Sequence, residues 1–248
     1  MAIIKVKNIQ EIGFSNDIVR TSRTGVNYTM PGQDNVVFKR LNNDTGFLDS
    51  QESEDRFNTL VELMNNGKVY TGCEIPQDIY ISGDGVYLYG YSLLDSGKSS
   101  LKSRQNYDGS YIKFLIDYKK FLAELREMAN HGVSHYGIDS STLLYSRNDG
   151  FTLSSVDECR HSGYIALYQE MGAKSFEVIK GYITRGYEES PILRDGGLQA
   201  LEEAFKNRSR ACYMRYLYKL QFETSMELGS PATSIEDVRN GLKHSLKR

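Results

Sequence analysis

The sequence predicts an α+β protein with a strand-rich N-terminal lobe over residues 1–94, a linker over 95–110 and a helical C-terminal lobe over 111–248. Three observations carry that expectation. Short apolar runs broken by Gly, Pro, Asn and Asp fill the first third of the chain. The stretch from Ser96 to Gly109 is rich in Ser, Gly, Lys and Asn, and apolar residues recur at helical spacing beyond it.

Ile3, Ile4 and Val6 open a short strand, Asp17 to Arg20 form a second after a turn at Gly13, and Gly25 to Tyr28 form a third. Pro31-Gly32 with Gln33-Asp34-Asn35 punctuates a hairpin whose return strand is Val36-Val37-Phe38. Ser50 to Glu54 is acidic and suits a helix start. Phe57, Leu60, Val61 and Met64 continue at helical spacing to a stop at Asn65-Asn66-Gly67. Asp78 to Ile81 and Val86 to Tyr89 make a second hairpin about Gly83-Asp84-Gly85. Ile112, Leu115, Leu122, Leu125 and Met128 mark one face of a long helix ended near Asn130-His131-Gly132. The end of the chain is mostly helical, and Leu198 to Leu228 reads as one uninterrupted stretch. The last helix starts at Ser234, with Asp237 placed to complete a capping box and Ile235, Val238, Leu242 and Leu246 as its buried stripe.

Composition narrows the function classes. A chain of 248 residues can bury a sizeable core, and a net charge of −2 creates no global field toward nucleic acid or an acidic membrane surface. Lys5 and Lys7 stand where a signal peptide needs an apolar run, and no stretch approaches the roughly 18 apolar residues of a membrane span. Cys73, Cys159 and Cys212 are odd in number and far apart in sequence, which matches neither a disulfide framework nor a zinc site. Reduced, structural thiols in a cytoplasmic protein are the expectation.

The chemistry-bearing segment runs His135-Tyr136-Gly137-Ile138-Asp139-Ser140-Ser141-Thr142, then an Asn-Asp-Gly turn, then Ser155-Val156-Asp157-Glu158. This order resembles the catalytic and metal-binding loops of the protein-kinase superfamily, where His-x-Asp and an Asn five residues later precede Asp-Phe-Gly. Val36-Val37-Phe38-Lys39 is similar to that family's Val-Ala-Ile-Lys strand. Pro76-Gln77-Asp78, Asp84-Gly85 and Gly90-Tyr91 resemble a segment of certain bacterial kinase-like proteins. The resemblance covers roughly residues 15–160 and implies a two-lobed kinase-like fold, with an antiparallel-sheet N-lobe and a helical C-lobe.

Phosphoryl transfer needs positioned charges: a strand Lys on the phosphates, a helix Glu on that Lys, an Asp to orient the attacking hydroxyl, and an Asn and an Asp on magnesium. The resemblance puts Lys39 in the phosphate-holding position and Asp157 in the metal position. It offers Glu62, or the nearer Glu54, as the helix Glu. The catalytic Asp falls on Gly137 and the metal-binding Asn on Thr142, so the base and one ligand are missing. Asp139 is the available rescuer, two residues late; its ordinary role is a turn cap. At the three loop glycines stand Val19, Thr21 and Thr24, with Gly25 beside the last, so the backbone cover over phosphates is lost. ATP and magnesium are therefore expected to bind weakly or not at all.

Other constellations carry less. His131 and His135 have a zinc spacing, but Gly132 lies between them and the accompanying Glu is absent. There is no Gly-x-Ser-x-Gly elbow. The segment from Lys206 to Lys219 interleaves Arg208, Arg210 and Arg215 with Tyr213, Tyr216 and Tyr218, a mixture found at nucleic-acid sites, in cores and at protein interfaces. With the slightly negative charge, a protein partner is expected and nucleic acid is not. The implied function is a pseudokinase acting as a regulatory or protein-binding module. The alternatives are a divergent active kinase using Asp139 and a scaffold with no nucleotide site.

Overall fold

The computed structural model describes residues 1–7, 9–13, 18–21, 25–30, 32–41, 50–68, 70–82, 89–94, 97–103, 109–161, 166–205 and 210–247. In chain order the strands and helices are β1 (Ile3–Val6), β2 (Ile18–Thr21), β3 (Gly25–Met30), β4 (Gln33–Leu41), α1 (Ser50–Asn65), β5 (Pro76–Ser82), β6 (Tyr89–Leu94), β7 (Ser99–Ser100), α2 (Tyr111–Asn130), β8 (Val133–His135), β9 (Leu143–Ser146), β10 (Gly150–Leu153), β11 (Cys159–His161), α3 (Ala166–Thr184), α4 (Gly196–Phe205), α5 (Arg210–Leu228) and α6 (Ile235–Ser245). This mixed α+β chain divides into two compact units. The first is Met1–Lys98 with Glu127–Gly137 and Thr152–Tyr164; the second is Ser99–Arg126 with Ile138–Phe151 and Ile165–Arg248. Two later segments thus join the first unit, because β8 pairs with β11 and α1 packs on β11.

The first unit is built on a sheet of order β1-β5-β6-β4-β3-β2. Its pairings are antiparallel except the parallel β1–β5 edge. Side chains alternate across a strand, so Phe38 and Lys39 leave β4 on opposite faces. Phe38 packs with Met30 and Val36, and Tyr80 meets its ring edge-on at 5.3 Å between centroids. Lys39 pairs in register with Tyr91, and Tyr91 with Ile79, so these three share the other face. Gly90 serves the close packing of β4 on β6: a Cβ there would strike the Phe38 ring and lie 2.8 Å from the Lys39 carbonyl. Gly90-Tyr91 therefore sits inside a strand that runs on to Leu94, longer than the expected strand ending at Tyr89. The Gly83-Asp84-Gly85 turn, Thr24, Asp17 and Pro31 lie outside the described residues. Helix α1 buries Leu60, Leu63 and Met64.

In the second unit α2 buries Phe114, Leu115, Tyr118, Phe121 and Leu122. The Phe114 ring sits between Tyr145, Phe151 and Tyr182, with centroids 5.2, 5.0 and 6.1 Å away. Ile112, expected on the buried face, is 43% exposed; the inward positions of that first turn are taken by Tyr111 and Phe114. The expected single stretch from Leu198 to Leu228 is two helices, α4 and α5, which pack against each other, something one straight helix cannot do. Phe176 stacks on Tyr213 at 5.0 Å and meets Tyr216 edge-on at 5.5 Å, so these two α5 tyrosines are core. Tyr218 is exposed, and Lys206 and Arg208 lie outside the described residues. Ser234 accepts from the Asp237 amide while the Asp237 carboxylate accepts from the Ser234 amide, the capping box read from sequence. Ile235, Val238 and Leu242 are buried, but Leu246 is exposed beyond the last turn, and Ser245 faces inward to hydrogen-bond Ser190 at 2.6 Å.

Candidate functional site

The first unit gathers a buried polar cluster around Asp157. The strand β10 ends at Leu153, and Ser155 takes left-handed backbone angles (φ 60°, ψ 49°) to turn the chain into the short 3-10 helix Val156–Glu158. Such a conformation costs a non-glycine residue on the order of 1–3 kcal/mol and persists only where the surroundings dictate it. The Arg160 guanidinium helps dictate it, donating to the Asp157 and Cys159 carbonyls, both at 2.7 Å. The turn aims the Asp157 carboxylate at the Lys39 face of the sheet. There Oδ1 accepts from Lys39 Nζ at 2.6 Å and from the Tyr91 hydroxyl at 2.5 Å. Lys39 is 2% and Asp157 1% exposed, so the ion pair is cut off from water. Burial and then the Asp157 charge raise the Tyr91 phenol well above its ordinary range, which keeps it a donor.

His135, at the end of β8, joins this cluster. Its Nε2 donates to the Ser154 carbonyl at 2.8 Å. Burial, aided by the Lys39 charge, lowers its pKa to about 4 although Ser154 and Asp157 act the other way. The imidazole is thus neutral near pH 7. Its partner is a carbonyl of the turn, and among the described residues no group of three or more His, Cys, Asp or Glu could hold a metal ion. His131 instead bonds the Glu127 carbonyl at the end of α2 through Nδ1.

Gly137 lies against the Glu158 carboxylate, which any side chain there would have to displace. A Cβ built there would fall within the Glu158 carboxylate, and Glu158 is itself buried, with its carbonyl accepting from the Tyr136 amide at 3.2 Å. The position that the resemblance gives to a catalytic base is occupied by a neighbour's carboxylate. Glu62 is not brought to Lys39: its two carboxylate oxygens are taken by the Tyr70 hydroxyl at 2.5 Å and by the His161 ring, tying α1 to β11. Glu54 is exposed at the start of α1. Thr21 lies in β2, and Gly25 of β3 pairs with Leu41 of β4, where a Cβ would press on the Arg40 carbonyl group.

In the second unit Asp139 and Thr142 close a turn on themselves. Asp139 Oδ1 accepts from the Ser141 amide and hydroxyl, both at 2.6 Å, and from the Thr142 amide at 2.9 Å. Thr142 Oγ1 in return accepts from the Asp139 amide at 2.9 Å. Burial acts to raise the Asp139 carboxyl, but these hydrogen bonds outweigh it and hold it below the ordinary range. The group is a charged turn cap.

Magnesium and nucleotide fit this arrangement poorly. The one acid assigned to the metal already takes a cation and a phenol on one oxygen, and the Lys39 charge is spent on it. Phosphates would have to break a buried pair whose disruption typically costs about 3–5 kcal/mol. Tyr91, His135 and Glu158 carry roles that sequence reasoning did not assign. The Lys39–Tyr91 register could have pointed to Tyr91, but only once the strand pairing was known. No protein-family model matches the chain, and a search of the curated proteins finds no match. Among the described residues no helix is long and apolar enough to cross a membrane.

Proposed function

We propose that the chain is a catalytically impaired, kinase-like protein, a pseudokinase, that works as a regulatory or protein-binding module in a two-lobed kinase-like arrangement. The observation that carries this reading is the Gly137–Glu158 contact: the base position has no side chain, and the Glu158 carboxylate fills the space where one would begin. General-base assistance is typically worth about 10²–10⁴ in rate. Asp139, the nearest substitute in sequence, is engaged by three hydrogen bonds in its own turn. The strand lysine, the helix α1 after it and the later Asp157 keep the family's order, and Lys39 meeting Asp157 supports that correspondence. That same pair favours a second reading, a scaffold without a nucleotide site, because each charge already satisfies the other.

The test is phosphate transfer from labelled ATP to the protein itself and to generic protein substrates, with thermal shift by ATP and magnesium alongside. No transfer is expected, and binding is expected only in the high-micromolar range or weaker, since each missing contact costs about one to two decades of affinity. Gly137→Asp should not create activity, because the new carboxylate could enter only by displacing the buried one of Glu158. Robust turnover lost in Asp139→Ala would overturn the reading and make Asp139 the base.

A further inference from the structure

The second unit carries a groove of about 640 Å³ between the segment Ile138-Asp139-Ser140 and one face of α3, which lines it from Ala173 to Tyr182, with Arg185 and Glu188 beyond the helix end. The helix rises about 14 Å over that span, the length of about four residues of extended chain at about 3.3 Å each. Ile138, Ala173, Val178 and Gly181 give it an apolar base.

Helix α3 holds two glycines, and they differ. A Cβ at Gly172 would meet Tyr213 at 3.5 Å and Leu122 at 3.9 Å, so that glycine sits in close packing within the chain. A Cβ at Gly181 would meet nothing within 4 Å. Glycine weakens a helix interior, and no contact among the described residues explains it at 181. It leaves the groove deep enough for another backbone to approach.

The charges of the groove do not cancel. Lys174 is paired with Glu170 at 3.0 Å, and Arg185 is offset by Glu188 at the same end. Asp139 and Glu177, on the two walls, form no ion pair among the described residues. Two carboxylates flanking an apolar base suit a side chain with an aliphatic stem and a cationic head.

We propose that this groove binds an extended segment of a protein partner, laid with a small residue over Gly181 and with an arginine or lysine between Asp139 and Glu177. The inference names the docking surface of the protein-binding module above and rests on that reading for the kind of partner. The probe is a randomised octapeptide library in which each position is fixed in turn, measured on the full chain. Wild type should prefer Arg or Lys over Glu at one position by about tenfold or more, the worth of one charged hydrogen bond. Glu177→Lys should abolish or reverse that preference. Gly181→Leu should bind no peptide yet melt no lower than wild type; Gly181→Ala, which adds a single methyl, provides the same comparison if the leucine variant does not fold. A library with no basic preference at any position, or a preference that survives both Glu177→Lys and the Gly181 variants, overturns the proposal. Phosphate transfer is read separately: transfer with basic selection keeps the groove and removes the impaired-kinase reading, and no transfer without selection does the reverse.

Discussion

Gly137→Ala probes directly how the buried acid of the first unit is seated. The alanine Cβ would enter the space of the Glu158 carboxylate, and Glu158 is only 6% exposed. Gly137 is absent from the glycines with positive φ, so an alanine backbone is unstrained there. The obstacle is the end of a flexible side chain, and the carboxylate can swing aside. The cost is then local overpacking together with moving a buried carboxylate out of its seat, about 2–4 kcal/mol in all. Restricting the unfolded chain returns about 0.4–1 kcal/mol. The net expectation is a loss of about 1–3 kcal/mol, or about 2–12 °C in Tm for a chain of this size. Urea denaturation of wild type, Gly137→Ala, Glu158→Ala and the double variant measures it as a cycle. In the Glu158→Ala background the space is open, and Gly137→Ala should be neutral or slightly stabilising. If Gly137→Ala is tolerated within about 0.5 kcal/mol in wild type, or if its cost persists without Glu158, then Gly137 is not there to seat that carboxylate.

Lys39→Met leaves Asp157 buried without its cation and should cost about 3–5 kcal/mol, whereas Lys39→Met with Asp157→Leu should come back close to wild type; equal losses in the single and double variants would mean that the pair is not the stabilising unit. His135 gives a pH dependence with a definite sign. Its folded pKa of about 4 lies below the ordinary value of about 6.5, so the unfolded chain takes up the proton first as pH falls. The stability it contributes is whole above about pH 6.5 and declines toward pH 4, with about 2 kcal/mol lost by pH 5. His135→Gln should flatten that decline in urea midpoints measured from pH 4 to 7.5, and an unchanged slope would place the titration on another group.

Much of the secondary structure was legible because its causes are local. The Ser234–Asp237 capping box and the buried spacing of Leu60 and Met64 each depend on residues within one or two turns. The errors came where packing outvotes periodicity. Ile112 and Leu246 have the spacing of buried residues yet end exposed, since α2 turns Tyr111 and Phe114 inward and α6 has finished before Leu246. The division of Leu198–Leu228 into two helices follows from α4 folding back on α5, a contact that no window of sequence contains.

The candidate site divides the same way. From sequence came the missing side chain at Gly137, the turn-forming character of Asp139 and the strand position of Lys39, because residue type and short spacing set each of them. Only the tertiary structure decided the partners. Lys39 and Asp157 stand 118 residues apart, and a sheet face, a strained Ser155 turn and the Tyr91 hydroxyl bring them to 2.6 Å. Glu62 has the helix position of a lysine partner but is held by Tyr70 and His161. The physical reason is that a charge buried away from water must be neutralised where it lies. Which opposite charge lies there is settled by strand register and helix docking across the whole unit.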